Sequence, residues 1–177
     1  MPNKAVFNYS SMPLYTFMTN TYTGPGVLAS AVQAAATAGV GFRLTTTSVS
    51  VAASSNLLLQ ITNPVASIRT VYLAEISGGT TAAATINVYS GGTIAGGTTP
   101  SPINTQLGSS TTSVVTTRQL IGTLGGTPTT FLSTSVTAGA FLFSFHGGIV
   151  VPANQVLTVS LGVGALTGSI NLLWWEQ

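Results

Sequence analysis

Phe141-Leu-Phe-Ser-Phe145, Gly147-Gly-Ile-Val-Val-Pro152, Gln155-Val-Leu-Thr-Val-Ser-Leu161 and Ser169-Ile-Asn-Leu-Leu-Trp-Trp175 follow one another at the end of the chain. Each run is short, rich in β-branched or aromatic residues, and closed by Gly, Pro or Asn, which is how strands and turns read in sequence. In the third run Leu157, Val159 and Leu161 alternate with Val156, Thr158 and Ser160. That alternation predicts a strand with one face on a core and the other on solvent. In the last run Ile170, Leu172 and Trp174 share a face, with Leu173 and Trp175 opposite, so both faces are largely apolar. One of them is expected to meet the core, and the other to meet a partner, which makes Trp175 a candidate subunit contact.

Working back from this end, the β signal is continuous from Phe42. In Asn56-Leu-Leu-Leu-Gln-Ile-Thr62 the residues Leu57, Leu59 and Ile61 share a face, and Asn63-Pro64 ends the strand because proline lacks a donor and restricts its predecessor. Strands are also read at residues 70–77, 85–90, 113–121 and 129–136, with a long polar surface loop over residues 95–110. The count is roughly eight to ten strands at short spacing, without the periodic helices a parallel α/β fold needs. The fold class expected is all-β, an antiparallel two-sheet sandwich of jelly-roll type.

Residues 27–39 are alanine-rich, the best helix-forming stretch in the chain, yet they lack charged pairs and a clear apolar stripe. Helix and irregular strand are both open there. Residues 1–26 read as an extended arm before a body of residues 27–177, with Phe7 and Tyr9, then Tyr15 and Phe17, spaced by two as on one side of an extended segment. These four aromatics are expected to dock on a neighbouring subunit while the arm's backbone extends its sheet.

Charge is the unusual feature of the composition. The 177 residues hold four Lys and Arg, two Glu, no Asp and one His, so charged residues make up 3%, against roughly a quarter in ordinary soluble domains. The calculated pI of 9.3 therefore carries little meaning. Four scattered cations cannot neutralise a phosphate backbone, so nucleic acid is set aside as a partner, and an anionic membrane with it. A surface with so little repulsion between copies favours self-association. There is no cysteine, hence no disulfide and no thiolate metal site. Mean hydropathy is +0.52, yet no continuous apolar run reaches the roughly 18 residues of a membrane helix, and no conventional secretion signal is read.

Chemistry has few residues to work with. General bases near neutral pH are limited to His146, Glu75 and Glu176. His146 sits where a strand passes into a turn, Glu75 is placed to pair with an arginine, and Glu176, the penultimate residue, is expected to be solvated. Two carboxylates are too few for a calcium site, and the Gly-Gly pairs lack a following helix and basic partner that would make them phosphate cradles. The expectation is no catalytic residue, no cofactor and no metal: a protein that is not an enzyme.

Asn63-Pro-Val-Ala-Ser-Ile-Arg-Thr-Val-Tyr-Leu-Ala-Glu-Ile76, Gly96-Gly-Thr-Thr-Pro-Ser-Pro-Ile-Asn104 and Gly147-Gly-Ile-Val-Val-Pro-Ala-Asn154 resemble segments of jelly-roll surface proteins. Over residues 56–175 the chain resembles the fibre-forming jelly-roll subunits of bacterial endospore appendages, and after them jelly-roll proteins of phage virions. The resemblance implies a structural subunit that partners itself in a helical filament, with room for an anchoring or tip protein, outside the cell or on the spore surface. The better-known appendage subunits carry cross-linking cysteines, so this chain would be of a cysteine-free type. The alternatives are a virion component, such as a tail-fibre or head-decoration protein, and a carbohydrate-binding module stacking sugars on Trp174, Trp175 or tyrosines.

Overall fold

A computed structural model of the chain describes residues 29–177, together with the pairing of two short strands ahead of them, β1 (Asn8–Tyr9) and β2 (Met12–Pro13). The chain thus doubles back on itself within residues 8–13. The rest of the arm lies outside the described residues, including Phe7, Tyr15 and Phe17.

A helix, α1 (Ala31–Thr37), leads into the strands β3 (Gly41–Thr45), β4 (Val49–Val51), β5 (Asn56–Asn63), β6 (Val71–Thr80) and β7 (Ala84–Ser90). After them come β8 (Ile103–Asn104), β9 (Thr116–Gly122), β10 (Thr129–Val136), β11 (Gly139–Val151), β12 (Gln155–Gly162) and β13 (Leu166–Glu176). They form two antiparallel sheets packed face to face, an all-β sandwich. The five-stranded sheet has the order β10-β7-β12-β5-β9, and the six-stranded sheet the order β11-β6-β13-β3-β8, with β4 beside the start of β13.

The core lies where the alternating residues of the two sheets meet. Leu57, Leu59, Ile61, Ile86, Val88, Val159 and Leu161 come from one side, and Phe42, Leu44, Leu73, Ile76, Ile170, Leu172 and Trp174 from the other. Burial of each such side chain contributes about 1.5–3 kcal/mol. At the Asn63-Pro64 strand end, the Asn63 amide donates to the carbonyls of Arg69 (2.8 Å) and Val151 (3.0 Å), which ties the β5–β6 connection to β11.

Two sequence expectations are corrected by what lies on the outer faces. The first concerns β12, whose polar face was expected in solvent; Thr158 and Ser160 are buried. The long excursion of residues 91–128 crosses the outer face of the five-stranded sheet on its way out and again on its way back, pairing with itself at Thr93 and Gly125. Beneath it Thr158 Oγ1 donates to the Gly91 carbonyl (2.8 Å), while the Gln60 amide donates to Thr158 Oγ1 (2.8 Å) and to the Gly92 carbonyl (3.1 Å). Paired in this way, polar side chains tolerate burial.

The second correction concerns β13. The alanine-rich stretch is a helix, capped by Ser30, whose Oγ accepts from the Gln33 amide at 3.2 Å, and stopped by Gly39 at φ 68°. At seven residues it is too short to persist alone, and packing holds it. It lies on the outer face of the six-stranded sheet, where Val32 and Ala35 meet Ala74, Leu173 and Trp175. The ring of Trp175 stacks on Tyr72 with centroids 5.5 Å apart, and the backbone of Gly147 lies so close to it that any side chain there would collide. The second apolar face of β13 is therefore covered by the chain itself, and Trp175, expected to face a subunit, is 8% exposed.

Candidate interaction surface

The excursion of residues 91–128 does more than cover a face. From Gly92 it reaches the free edge of β9, where Thr98 and Gln119 exchange both backbone hydrogen bonds (2.8 and 2.9 Å). It continues past Thr117, whose hydroxyl donates to the Pro100 carbonyl, and adds β8 to the edge of β3. The stretch expected as a polar surface loop is largely exposed, as expected, and also acts as a strap that closes one long side of the sandwich. Asn104 fixes it there, its buried amide donating to the Gly39 carbonyl at 2.8 Å. Arg43 and Arg118 stand on the same side, on β3 and β9.

A carboxylate locks the end of that strap. Glu176, expected in solvent, is 1% exposed. Its oxygens accept from the Val114 amide (3.1 Å), the Trp174 indole (3.2 Å) and the Ser113 hydroxyl, and the Arg69 guanidinium lies 3.5 Å away. These partners compensate the charge that burial takes out of water. Sequence position alone suggested a frayed end; the neighbouring Trp174-Trp175 pair, which must be buried, was the signal that the last strand is central.

No described residue covers the opposite side in this way. Among the described residues, β10 pairs only with β7 and β11 only with β6, so both sheets end here in an unpaired edge. Leu132 and Val136 of β10 and Phe141, Phe143 and Phe145 of β11 pack, only partly buried, against the core. Phe131, Leu142 and Val150 are 56%, 63% and 48% exposed on the same two strands. A cleft of about 460 Å³ opens where β10 and β11 diverge, lined by Phe131, Ile149, Pro152 and Val156. No charged residue lies between Arg118 and Glu176, so neither edge carries one. Natural sheets guard exposed edges with lysine, proline, bulges or a covering segment, and among the described residues these edges have only bulges, at residues 144–149 of β11 and 130–132 of β10.

The remaining candidates take the following places. Glu75 pairs with Arg43 at 3.6 Å on the outer face of the six-stranded sheet, as its position suggested, in a partly exposed contact worth about 0–1 kcal/mol. His146 occupies the β11 bulge at φ 51° and lines a separate cleft with Glu75, Ser144 and the start of α1. Trp174 and Trp175 are 1% and 8% exposed, so they form no platform for a sugar. The exposed Phe131, Leu142 and Val150 were not singled out by sequence reasoning. The absence of charge from residues 119–175 was the signal that could have found them. No protein-family model matches the chain, and no curated protein or solved structure shows significant similarity to it.

Proposed function

We propose that this chain is a structural subunit that assembles with copies of itself into an extracellular fibre or appendage. The observation that carries the reading is the pair of uncharged edges β10 and β11, which no described residue covers, lying side by side on a sandwich whose other side is strapped shut. Such edges are templates for a further strand, and their half-buried phenylalanines add apolar area to whatever contact the backbone makes. A jelly-roll body fits the strand orders. Setting aside β8 and β9, the sheets read β3-β13-β6-β11 and β5-β12-β7-β10, the interleaving that two Greek keys produce. A place on the spore surface follows only from the resemblance read in the sequence, and the virion remains the alternative setting for the same contact.

Negative-stain microscopy of the purified chain tests the reading, with filaments or other ordered assemblies expected. They should persist at about 1 M salt, where the screening length falls to roughly 3 Å, because the β10 and β11 edges carry no Lys, Arg, Asp or Glu. Monomers at every concentration tried would falsify self-assembly.

A further inference from the structure

A further strand needs a straight run of edge that keeps its N–H donors, and the edges of this sandwich differ in that respect. On the strapped side β9 is bonded to the strap at Gln119, and the strap's approach to β8 holds Pro100 and Pro102, which have no N–H to offer. β10 carries a bulge at residues 130–132, and the outer face of its straight part is polar, with Ser133 and Ser135. β11 is divided by its bulge at residues 144–149 into a short tail and a straight run, Gly139–Ser144, which pairs one to one with the residues from Thr80 back to Glu75 of β6. That run contains no proline, and no described strand pairs with its outer side.

We infer that two copies of this chain join through β11, antiparallel, about a two-fold axis at Leu142, so that a dimer with one sheet continuous across the joint is the unit of assembly. The register follows from the faces. Phe141 and Phe143 lie on the inner face, opposite Gly78 and Ile76 of β6, while Ala140, Leu142 and Ser144 lie on the outer face. A two-fold axis perpendicular to the sheet keeps inner residues opposite inner residues, so it must pass at a residue and not between two. Centred on Leu142, the pairing takes in Ala140 to Ser144: Leu142 meets its own copy, Phe141 meets the other copy's Phe143, and Ala140 meets the other copy's Ser144. Each half-buried phenylalanine gains a cross-strand aromatic neighbour, and Leu142, 63% exposed in the single chain, is covered by its counterpart. Centred on Phe141, the pairing would set Phe143 against Gly139 and Leu142 against Ala140; centred on Phe143, it would run into the bulge. The inference rests on the reading that this edge takes a second copy, and deepens it. An isologous joint is complete with two copies, so a fibre grows from such dimers through another surface.

Because the chain has no cysteine, single substitutions read the register directly in the full-length protein. Opposite residues of an antiparallel pair have Cα atoms about 4.5–5.5 Å apart, within reach of a disulfide. Under mild oxidation Leu142→Cys should therefore close an interchain disulfide at least about tenfold faster than Ala140→Cys or Ser144→Cys, whose thiols would sit roughly 14 Å from their own copies. Mixing the Ala140→Cys and Ser144→Cys chains should restore the fast rate, because those two positions lie opposite each other. Equal rates for the three single variants, or a mixture no faster than either chain alone, would overturn the joint. Fibres that form without a cross-link in Leu142→Cys would place the contact elsewhere and leave self-assembly standing. Cross-linked dimers that never lengthen would do the reverse, ending the fibre and keeping the two-fold joint. A chain that sediments as a monomer and cross-links at none of these positions would overturn both.

Discussion

The two long sides of this sandwich are built from the same kind of strand and treated in opposite ways. On the β9/β3 side the chain spends residues 91–128 to pair one edge, extend the other and bury the polar groups of Gln60 and Thr158, with Arg43 and Arg118 alongside. On the β10/β11 side it places three half-buried phenylalanines on β11 and no charge at all. A protein indifferent to its edges would leave both sides alike. Among the described residues the difference leaves β10 and β11 as the edges open to a further strand, and it can be broken from either side.

The largest effect is expected where the strap is locked. Glu176→Ala leaves the Val114 amide, the Ser113 hydroxyl and the buried Trp174 indole without their acceptor, in a partly buried position. A loss of about 3 kcal/mol in unfolding free energy follows, read as a fall in the urea midpoint. Glu176→Gln, which keeps one acceptor oxygen, should cost about half as much. A change below about 0.5 kcal/mol for both would mean that the strap is held without this carboxylate.

A smaller effect is expected under the strap. Thr158→Val keeps the side-chain shape but removes the donor to Gly91 and the acceptor for Gln60. One buried carbonyl and one amide hydrogen then lose a partner, which costs about 1–2 kcal/mol. Amide hydrogen exchange should locate the loss, with Thr93 and Gly125, which bond each other across the strap, exchanging faster while β6 and β13 are unchanged.

Much of the sandwich was legible in the sequence. The alternation of Leu57, Leu59 and Ile61 and of Ile170, Leu172 and Trp174 named the inner faces, and Asn63-Pro64 marked a strand end. Period-two reasoning assigns a face to each residue but does not say what covers the second face. Thr158 and Ser160 were therefore assigned to solvent, and Trp175 to a partner, when a strap and a helix from distant sequence lie over them. The strap itself reads as a loop because its contacts are made by backbone groups of residues such as Thr98 and by single side chains such as Asn104, which leave no periodic trace. The open edge was invisible for a related reason: strand order is a long-range property, and nothing local in residues 129–151 distinguishes an edge strand from a central one except missing charge.

The smallest change in stability should accompany the clearest change in behaviour. Leu142 and Ser133 are exposed on β11 and β10, and Thr116 is exposed on β9. A lysine at any of the three stays in solvent in the single chain, so each substitution should shift stability by no more than about 0.5 kcal/mol. On the strapped side that is all it should do, since Thr116→Lys joins an edge already paired and already basic. On the open side Leu142→Lys/Ser133→Lys supplies the guard that these edges lack. A second strand could then dock only by desolvating an ammonium group or bringing two copies' cations together, and assembly should be lost at about 0.1 M salt. Raising salt to about 1 M screens the repulsion but leaves the desolvation cost, so assembly should return only in part. Light scattering and sedimentation read both outcomes. Undiminished assembly of the open-side variant, or its loss in Thr116→Lys alone, would move the joint between subunits to the strapped side and reverse the meaning of the asymmetry.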